Sequence, residues 1–240
     1  MKKVRIIDAD TIFGKMSRKD TDISLDRLLS VMKANGVAES LTLSAKGIFY
    51  SDKEGNAETL FACAKHKNLI PVATLNPKGY IPGEKLVKKI KKDGFCAVRF
   101  FPDHQGWPVE YLPFISLLNE IEDEGLPLIF PCGPLGTATT LLRVLGKRKI
   151  KVIMSSVGYA QLSEVLCAVK ENKRFFAMTK LFNTPDGLEL VAEAGGIGRL
   201  VLGSGQPHDF FGNSASMIMK MELPGKEKIL GKNILGIIGK

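Results

Sequence analysis

Arg199-Leu200-Val201-Leu202-Gly203-Ser204-Gly205-Gln206-Pro207 is an apolar strand that runs straight into a Gly-Ser-Gly turn. The last strand of a parallel α/β barrel delivers its loop to an active-site mouth in this way. Upstream of it, short β-branched runs alternate with amphipathic helical stretches. Strands are expected near Val4 to Ala9, Ser40 to Ser44, Ile70 to Leu75, Phe95 to Phe101, Pro127 to Phe130, Lys151 to Ser155, Phe175 to Met178 and Arg199 to Leu202. The first helix is expected from Ser24, a good N-cap, to Asn35, with Gly36 as its stop. Leu25, Leu28, Leu29 and Met32 fall on it at helical spacing.

Further helices are expected at Asn56 to Lys67, Pro82 to Lys92, Glu110 to Glu124, Gly136 to Leu145 and Ala160 to Glu171. Another runs from Thr184 to Ala194, with Thr184 as cap and Pro185 in its first turn. Two more close the chain, near Ser214 to Met221 and Lys226 to Ile237. Strict alternation implies a parallel sheet with crossover helices. No Gly-x-Gly-x-x-Gly follows the first strand, and Gly195-Gly196-Ile197-Gly198 precedes the last strand rather than following it. A closed barrel therefore fits better than an open doubly wound sheet. The expectation is one (β/α)8 TIM barrel over residues 1–240, since such a barrel takes roughly 250 residues.

Hydrophobic residues make up 45% of the chain and charged residues 25%, an ordinary globular balance. No apolar run approaches the roughly 20 residues of a membrane span. The start, Met1-Lys2-Lys3-Val4-Arg5-Ile6-Ile7-Asp8, meets an acidic residue too early for a signal-peptide core, so a cytoplasmic protein is expected. The net charge is +9, with lysines clustered at Lys85 to Lys92 and Lys147 to Lys151. No aromatic side chains interleave with them to stack bases. They read as solvated helix faces, and neither nucleic acid nor membrane is an expected partner. Cys63, Cys96, Cys132 and Cys167 lack metal-site spacing and read as buried thiols.

Several stretches together resemble the amidohydrolase-related family of metal-dependent hydrolases and decarboxylases. They are Ile6-Ile7-Asp8-Ala9-Asp10-Thr11-Ile12, Ile70-Pro71-Val72-Ala73-Thr74-Leu75-Asn76-Pro77, Gly94-Phe95-Cys96-Ala97-Val98-Arg99-Phe100-Phe101-Pro102, Gly125-Leu126-Pro127-Leu128-Ile129-Phe130, Leu202-Gly203-Ser204 and the tail Glu227-Lys228-Ile229-Leu230-Gly231-Lys232-Asn233. The resemblance implies a metal centre built at the strand ends. Its first strand carries Asp-x-His-x-His, but here the histidine places hold Asp10 and Ile12. The strand-five histidine aligns with Pro131. The His-x-Gly of strand six is Ser156-Val157-Gly158, and the Gly-Ser-Asp of strand eight is Gly203-Ser204-Gly205. Of these substitutes only Asp10 is a good ligand for a divalent ion, whereas a catalytic zinc needs about three protein ligands. The expectation is a barrel with no resident metal. The alternative is a divalent ion such as zinc in a rebuilt site.

The residues left at the mouth are few. Asp10 and His208 are the candidate catalytic groups; Arg99, His104, Ser156 and Ser204 are candidate substrate-binding groups. Asp10 has two readings, a direct role or a structural pair with Arg99. Arg99 in turn either binds an anion through its planar fork or is structural. His104 and His208 stand in loops after strands four and eight, and Asp209 could orient a histidine. Cys132 lacks the base a nucleophilic thiol needs. Trp107 either walls a pocket or covers the barrel rim, and His66 reads as a surface residue.

Three functions follow. The leading one is a binding or regulatory barrel that holds a small molecule, with an anion as one candidate, at its mouth. The second is a working hydrolase, lactonase or decarboxylase using Asp10, His104 and His208. The third is a structural partner in an assembly, with an exposed apolar patch. The closing helix, with Ile229, Leu230, Ile234, Leu235, Ile237 and Ile238, packs on the barrel base or on the second subunit of a homodimer.

Overall fold

The computed structural model describes residues 4–15, 22–180, 184, 186–222 and 224–240. Its elements, in order, are β1 (Ile6–Phe13), α1 (Leu25–Ala34), β2 (Val37–Ser44), α2 (Lys46–Phe49), α3 (Asp52–Lys65), β3 (Leu69–Thr74), α4 (Leu86–Lys92), β4 (Ala97–Arg99), α5 (Pro102–Gln105), α6 (Leu112–Glu124), β5 (Leu128–Pro131), α7 (Thr137–Leu145), β6 (Val152–Ser155), α8 (Leu162–Glu171), β7 (Phe175–Met178), α9 (Gly187–Gly195), β8 (Leu200–Val201), α10 (Phe211–Lys220) and α11 (Asn233–Ile238). The strands pair in chain order from β1 to β8, all parallel. Backbone bonds then close the ring. Ala9 N donates to Leu202 O at 2.9 Å, Gly205 N to Asp10 O at 2.8 Å and Ile12 N to Gln206 O at 3.0 Å. This is the expected (β/α)8 TIM barrel.

Side chains alternate across the barrel wall, because successive Cβ atoms of a strand point to opposite faces. Ile7, Leu41, Ile70, Val72, Ala97, Ile129, Ile153, Met178 and Val201 form an inner cluster. Val98, Phe100, Leu128, Phe130, Val152, Met154, Ala177 and Leu202 form the outer one, under the helices. Trp107 belongs to that outer layer, where it meets the rings of Phe100, Phe114 and Phe130. It therefore covers the rim and does not line the cavity at the barrel mouth.

The tail packs on the barrel base. Ile229, Leu230, Ile234 and Ile237 are buried, and the last two join the inner cluster. Lys151, just before β6, donates to the carbonyls of Gly236 and Ile237 at 3.1 and 2.9 Å. The expected single helix over 226–237 is instead a π turn, Lys228–Lys232, followed by α11. Gly231 accompanies that change: a Cβ there would come within 2.6 Å of Arg5 O.

Other departures have local causes. Helix α2 was not expected. It packs closely on α3, where an added Cβ on Gly55 would overlap the Gly47 backbone. Helix α3 begins at Asp52 rather than Asn56, because Ser51 accepts from Glu54 N at 3.3 Å as an N-cap. Helix α4 begins at Leu86 rather than Pro82, after Lys85 in a left-handed conformation. Pro185 lies outside the described residues, and α9 starts at Gly187.

Cys132 is buried as expected, but Cys63 and Cys96 are only partly so and Cys167 is exposed, corrections to the reading of all four as buried. The Cys167 side of α8 faces solvent, while Val165, Ala168 and Val169 face the core. The lysines of α4 are exposed beside buried Val87 and Ile90. No described helix is long and apolar enough to cross a membrane. Tyr50, Tyr159 and Phe210 stand exposed on loops after β2, β6 and β8.

Candidate functional site

The site begins with a bulge in β1. Asp8 pairs with Ser40 and Thr11 with Thr42, so three steps of β1 oppose two of β2. Asp8 and Asp10 are both buried. Asp8 ties β1 to the end of β8. Its Oδ1 accepts from Asp10 N and Ser204 N, both at 3.0 Å, and its Oδ2 accepts from Ser204 Oγ. Burial nevertheless pushes the Asp8 carboxyl up to about 7, against the lowering effect of those donors.

Asp10 is the hub. Its Oδ1 accepts from Arg99 Nη1 at 2.5 Å, and Lys180 Nζ stands 3.9 Å from its Oδ2. The Asp10 side chain is 1% exposed. Burial alone would raise its pKa, but Arg99 and then Lys180 outweigh burial and hold it below the ordinary carboxylate range. Lys180 also reaches Asp209 Oδ2 at 2.8 Å. Burial would lower the Lys180 pKa, but Asp10 and Asp209 together raise it above the ordinary value. The amine is therefore an ammonium at neutral pH. It acts as a cation and donor, not as a nucleophile, which would need a depressed pKa.

Gly205 makes room for this cation. Its φ is +77°, and a Cβ there would fall 2.5 Å from Lys180 Cε, 2.6 Å from Lys180 Nζ and closer still to Asp209 Oδ2. The Lys180–Asp209 pair thus fills the space a strand-eight side chain would need.

Above the pair opens a cavity of about 230 Å³. Ile12, Ile23, Ile48, Phe49, Phe101 and Pro131 supply apolar walls; Arg99, Lys180, Asp103, His104, Ser156 and His208 supply polar groups. Arg99, His104, Ser156 and His208 thus line one cavity. His104 sits on the short helix α5 rather than in a loop, with its ring edge-on to Phe49 at 5.5 Å. His208 Nδ1 lies 3.4 Å from Asp209 Oδ1.

Two expected residues stand elsewhere. Asp10 lies beneath the cavity, and its ion-pair partners are Arg99 and Lys180 rather than either histidine. Ser204 is buried and spends its hydroxyl on Asp8. Burial raises the Cys132 thiol far above its ordinary value, which leaves it inert.

Lys180 was missed. It stands two residues beyond the end of β7, in step with the inward-facing Phe176 and Met178, and that period was the available signal.

The donor set does not fit a divalent ion. Ile12, Pro131 and Gly205 line the cavity without a side-chain donor, and Ser156 is neutral. Asp10, the one good ligand among the positions where the resemblance expects metal ligands, already faces two cations. Among the described residues no three His, Cys, Asp or Glu side chains converge as a metal set.

No protein-family model matches the chain. No curated protein matches it. Solved structures do. A 5-carboxyvanillate decarboxylase from Sphingomonas paucimobilis superposes with a TM-score of 0.78 at 13% identity, over 99% of each chain. A dihydroxybenzoic acid decarboxylase from Polaromonas, solved with bound manganese and the inhibitor 2-nitroresorcinol, gives 0.75 at 13% identity, over 99% of this chain and 97% of that one. An amidohydrolase II gives 0.73 at 15% identity, over 98% of this chain and 100% of that one. At these identities the shared property is architecture: the chain has the (β/α)8 barrel fold of amidohydrolase-type proteins, carried over its whole length.

Proposed function

We propose that this chain is a divergent member of the amidohydrolase-related group that binds a small organic molecule at its barrel mouth without a metal ion. The observation that carries this reading is the Lys180 ammonium, held between Asp10 and Asp209 in the space opened by Gly205. A positive charge built into the chain stands beside the strand-one carboxylate, so the site has no need of a divalent cation to balance Asp10. The apolar walls and few convergent polar groups are those of a small-molecule pocket.

The second reading, a hydrolase, lactonase or decarboxylase with metal-free acid–base chemistry, is favoured by one contact. His208 beside Asp209 is an imidazole with a carboxylate to orient it. Both readings place the ligand in the same cavity.

Gly133 provides the test. It lines the cavity, and a Cβ added there meets nothing closer than Ser156 O at 3.6 Å, so a side chain can be attached without a clash at its Cβ. Ligand-observed NMR against a panel of small organic acids and their neutral isosteres is expected to detect binding to the wild type. The Gly133→Trp protein should keep its melting temperature and lose that binding. Binding unchanged by Gly133→Trp would place the ligand elsewhere and end the proposal.

A further inference from the structure

We infer that the groove between α3 and α4, on the outer wall of the barrel, is a second ligand site, and that it takes an uncharged, largely apolar small molecule. No residue lines both this groove and the mouth cavity, so the inference stands apart from the function proposed above. The groove has a volume of about 430 Å³, against about 230 Å³ at the mouth. Small-molecule pockets run from roughly 300 to 1,000 Å³.

Each of the two helices is tied to something other than its partner across the groove. Glu120 of α6 accepts from Val87 N at 3.0 Å, in the first turn of α4, and from Tyr80 OH at 2.9 Å, ahead of that turn. Near the other end of α4, Lys91 donates to Glu124 O and pairs with the Glu124 carboxylate at 3.7 Å. Helix α4 is thus fastened to α6, and the groove lies on its opposite side. Helix α3 is anchored to the end of β3. Asn56 Nδ2 donates to Thr74 O and Asn56 Oδ1 accepts from Thr74 N, both at 2.8 Å.

One face of each helix lines the opening. Asn56, Ala57 and Leu60 come from α3; Leu86, Lys89 and Ile90 come from α4. Within each set the residues stand three or four apart or adjacent, as one helix face requires. Leu75 and Phe95, both buried, complete the apolar lining.

The polarity of the lining names the ligand class. Asn56 is its one uncharged polar side chain, and both ends of that amide are spent on Thr74. The walls therefore ask for no hydrogen bond. The charged residues are Asp52, Asp93, Lys53 and Lys89, two of each sign, and Asp52 already accepts from Asn76 N at 2.9 Å. A charged ligand would give up hydration there and meet no net opposite charge. An uncharged one gains by laying its apolar surface on Leu60, Leu86, Ile90 and Phe95.

The test uses N-phenyl-1-naphthylamine, an uncharged dye whose fluorescence rises in apolar surroundings. Its charged counterpart is 8-anilino-1-naphthalenesulfonate, and both are titrated into the full-length protein. The uncharged dye should bind saturably and at least about tenfold more tightly than the sulfonate. Ala57 and Lys89 are exposed on opposite walls of the groove, so Ala57→Trp and Lys89→Trp each fill it from one side. Each should weaken the uncharged dye at least about tenfold. Gly133→Trp, which fills the mouth cavity, should leave that binding unmoved. A thermal melt of each variant establishes that it is folded, and either groove variant alone decides the matter should the other not fold.

No saturable binding of the uncharged dye, equal or tighter binding of the sulfonate, or undiminished binding in a folded groove variant would each overturn the inference. Binding lost in Gly133→Trp and kept in the groove variants would place the dye at the mouth. That result overturns the groove site and leaves the mouth proposal standing.

Discussion

Replacing Asp10 with Ala is expected to cost about 3–5 kcal/mol of folding stability, read as a drop in the urea midpoint at neutral pH. The carboxylate is the permanent partner of Arg99, which is itself buried, and it also stands beside Lys180. Its removal leaves a guanidinium in the barrel interior with no charge to offset its lost hydration. That penalty, rather than the net worth of the pair, sets the size of the effect. A double change of Asp10→Leu with Arg99→Met removes both charges, and it should recover most of the loss by the same argument. A cost below about 1 kcal/mol for Asp10→Ala would mean that the pair is solvated and peripheral, and the account of the site would fail with it.

Stability should fall as pH rises from about 4 to about 7, and Asp8→Asn should flatten that fall. The Asp8 carboxyl titrates near 7 in the folded protein and near 3.8 when unfolded. Between those values the folded state holds a proton that the unfolded state has released. The stabilisation is complete below the unfolded pKa and is lost as pH climbs through the folded one. Over about three pKa units this amounts to about 4 kcal/mol at most.

Asp10 acts with the opposite sign and in a different window. Its folded pKa is depressed, so its contribution is present above about 3.8 and lost only in more acidic solution. Asparagine at position 8 keeps the shape and an acceptor oxygen but does not titrate. Urea melts at about pH 4.5 and about pH 8 should show the variant gaining on the wild type at the higher pH. Parallel pH profiles for the two proteins would contradict the burial argument.

The fold was legible because two periods run through the chain. Alternation in Ala97-Val98-Arg99 put one set inside the barrel and another under the helices, and Leu25, Leu28 and Met32 marked a helix face. Boundaries were less legible where a backbone contact decides them. The close approach of Gly55 to Gly47 accompanies α2, and no local pattern announces it.

The site was half legible. Arg99, His104, Ser156 and His208 could be placed at the mouth because strand ends lead there. The blank at Gly205 was readable as a missing carboxylate. What fills it was not, because Lys180 belongs to the end of the neighbouring strand β7 and meets position 205 only through the pairing of β7 with β8. Ser204 misled for a related reason. Its hydroxyl faces across the seam between β1 and β8, and the partner there, Asp8, is 196 residues away in sequence.

The central claim is that Lys180, and not a divalent ion, supplies the positive charge beside Asp10. The most direct measurement is elemental analysis by plasma mass spectrometry of protein expressed with added zinc, manganese and cobalt, after extensive dialysis. The account predicts far less than one equivalent of any transition metal per chain, in the wild type and in Asp10→Asn alike. About one equivalent in the wild type, lost in Asp10→Asn, would contradict it and place a rebuilt metal centre at the mouth of this barrel.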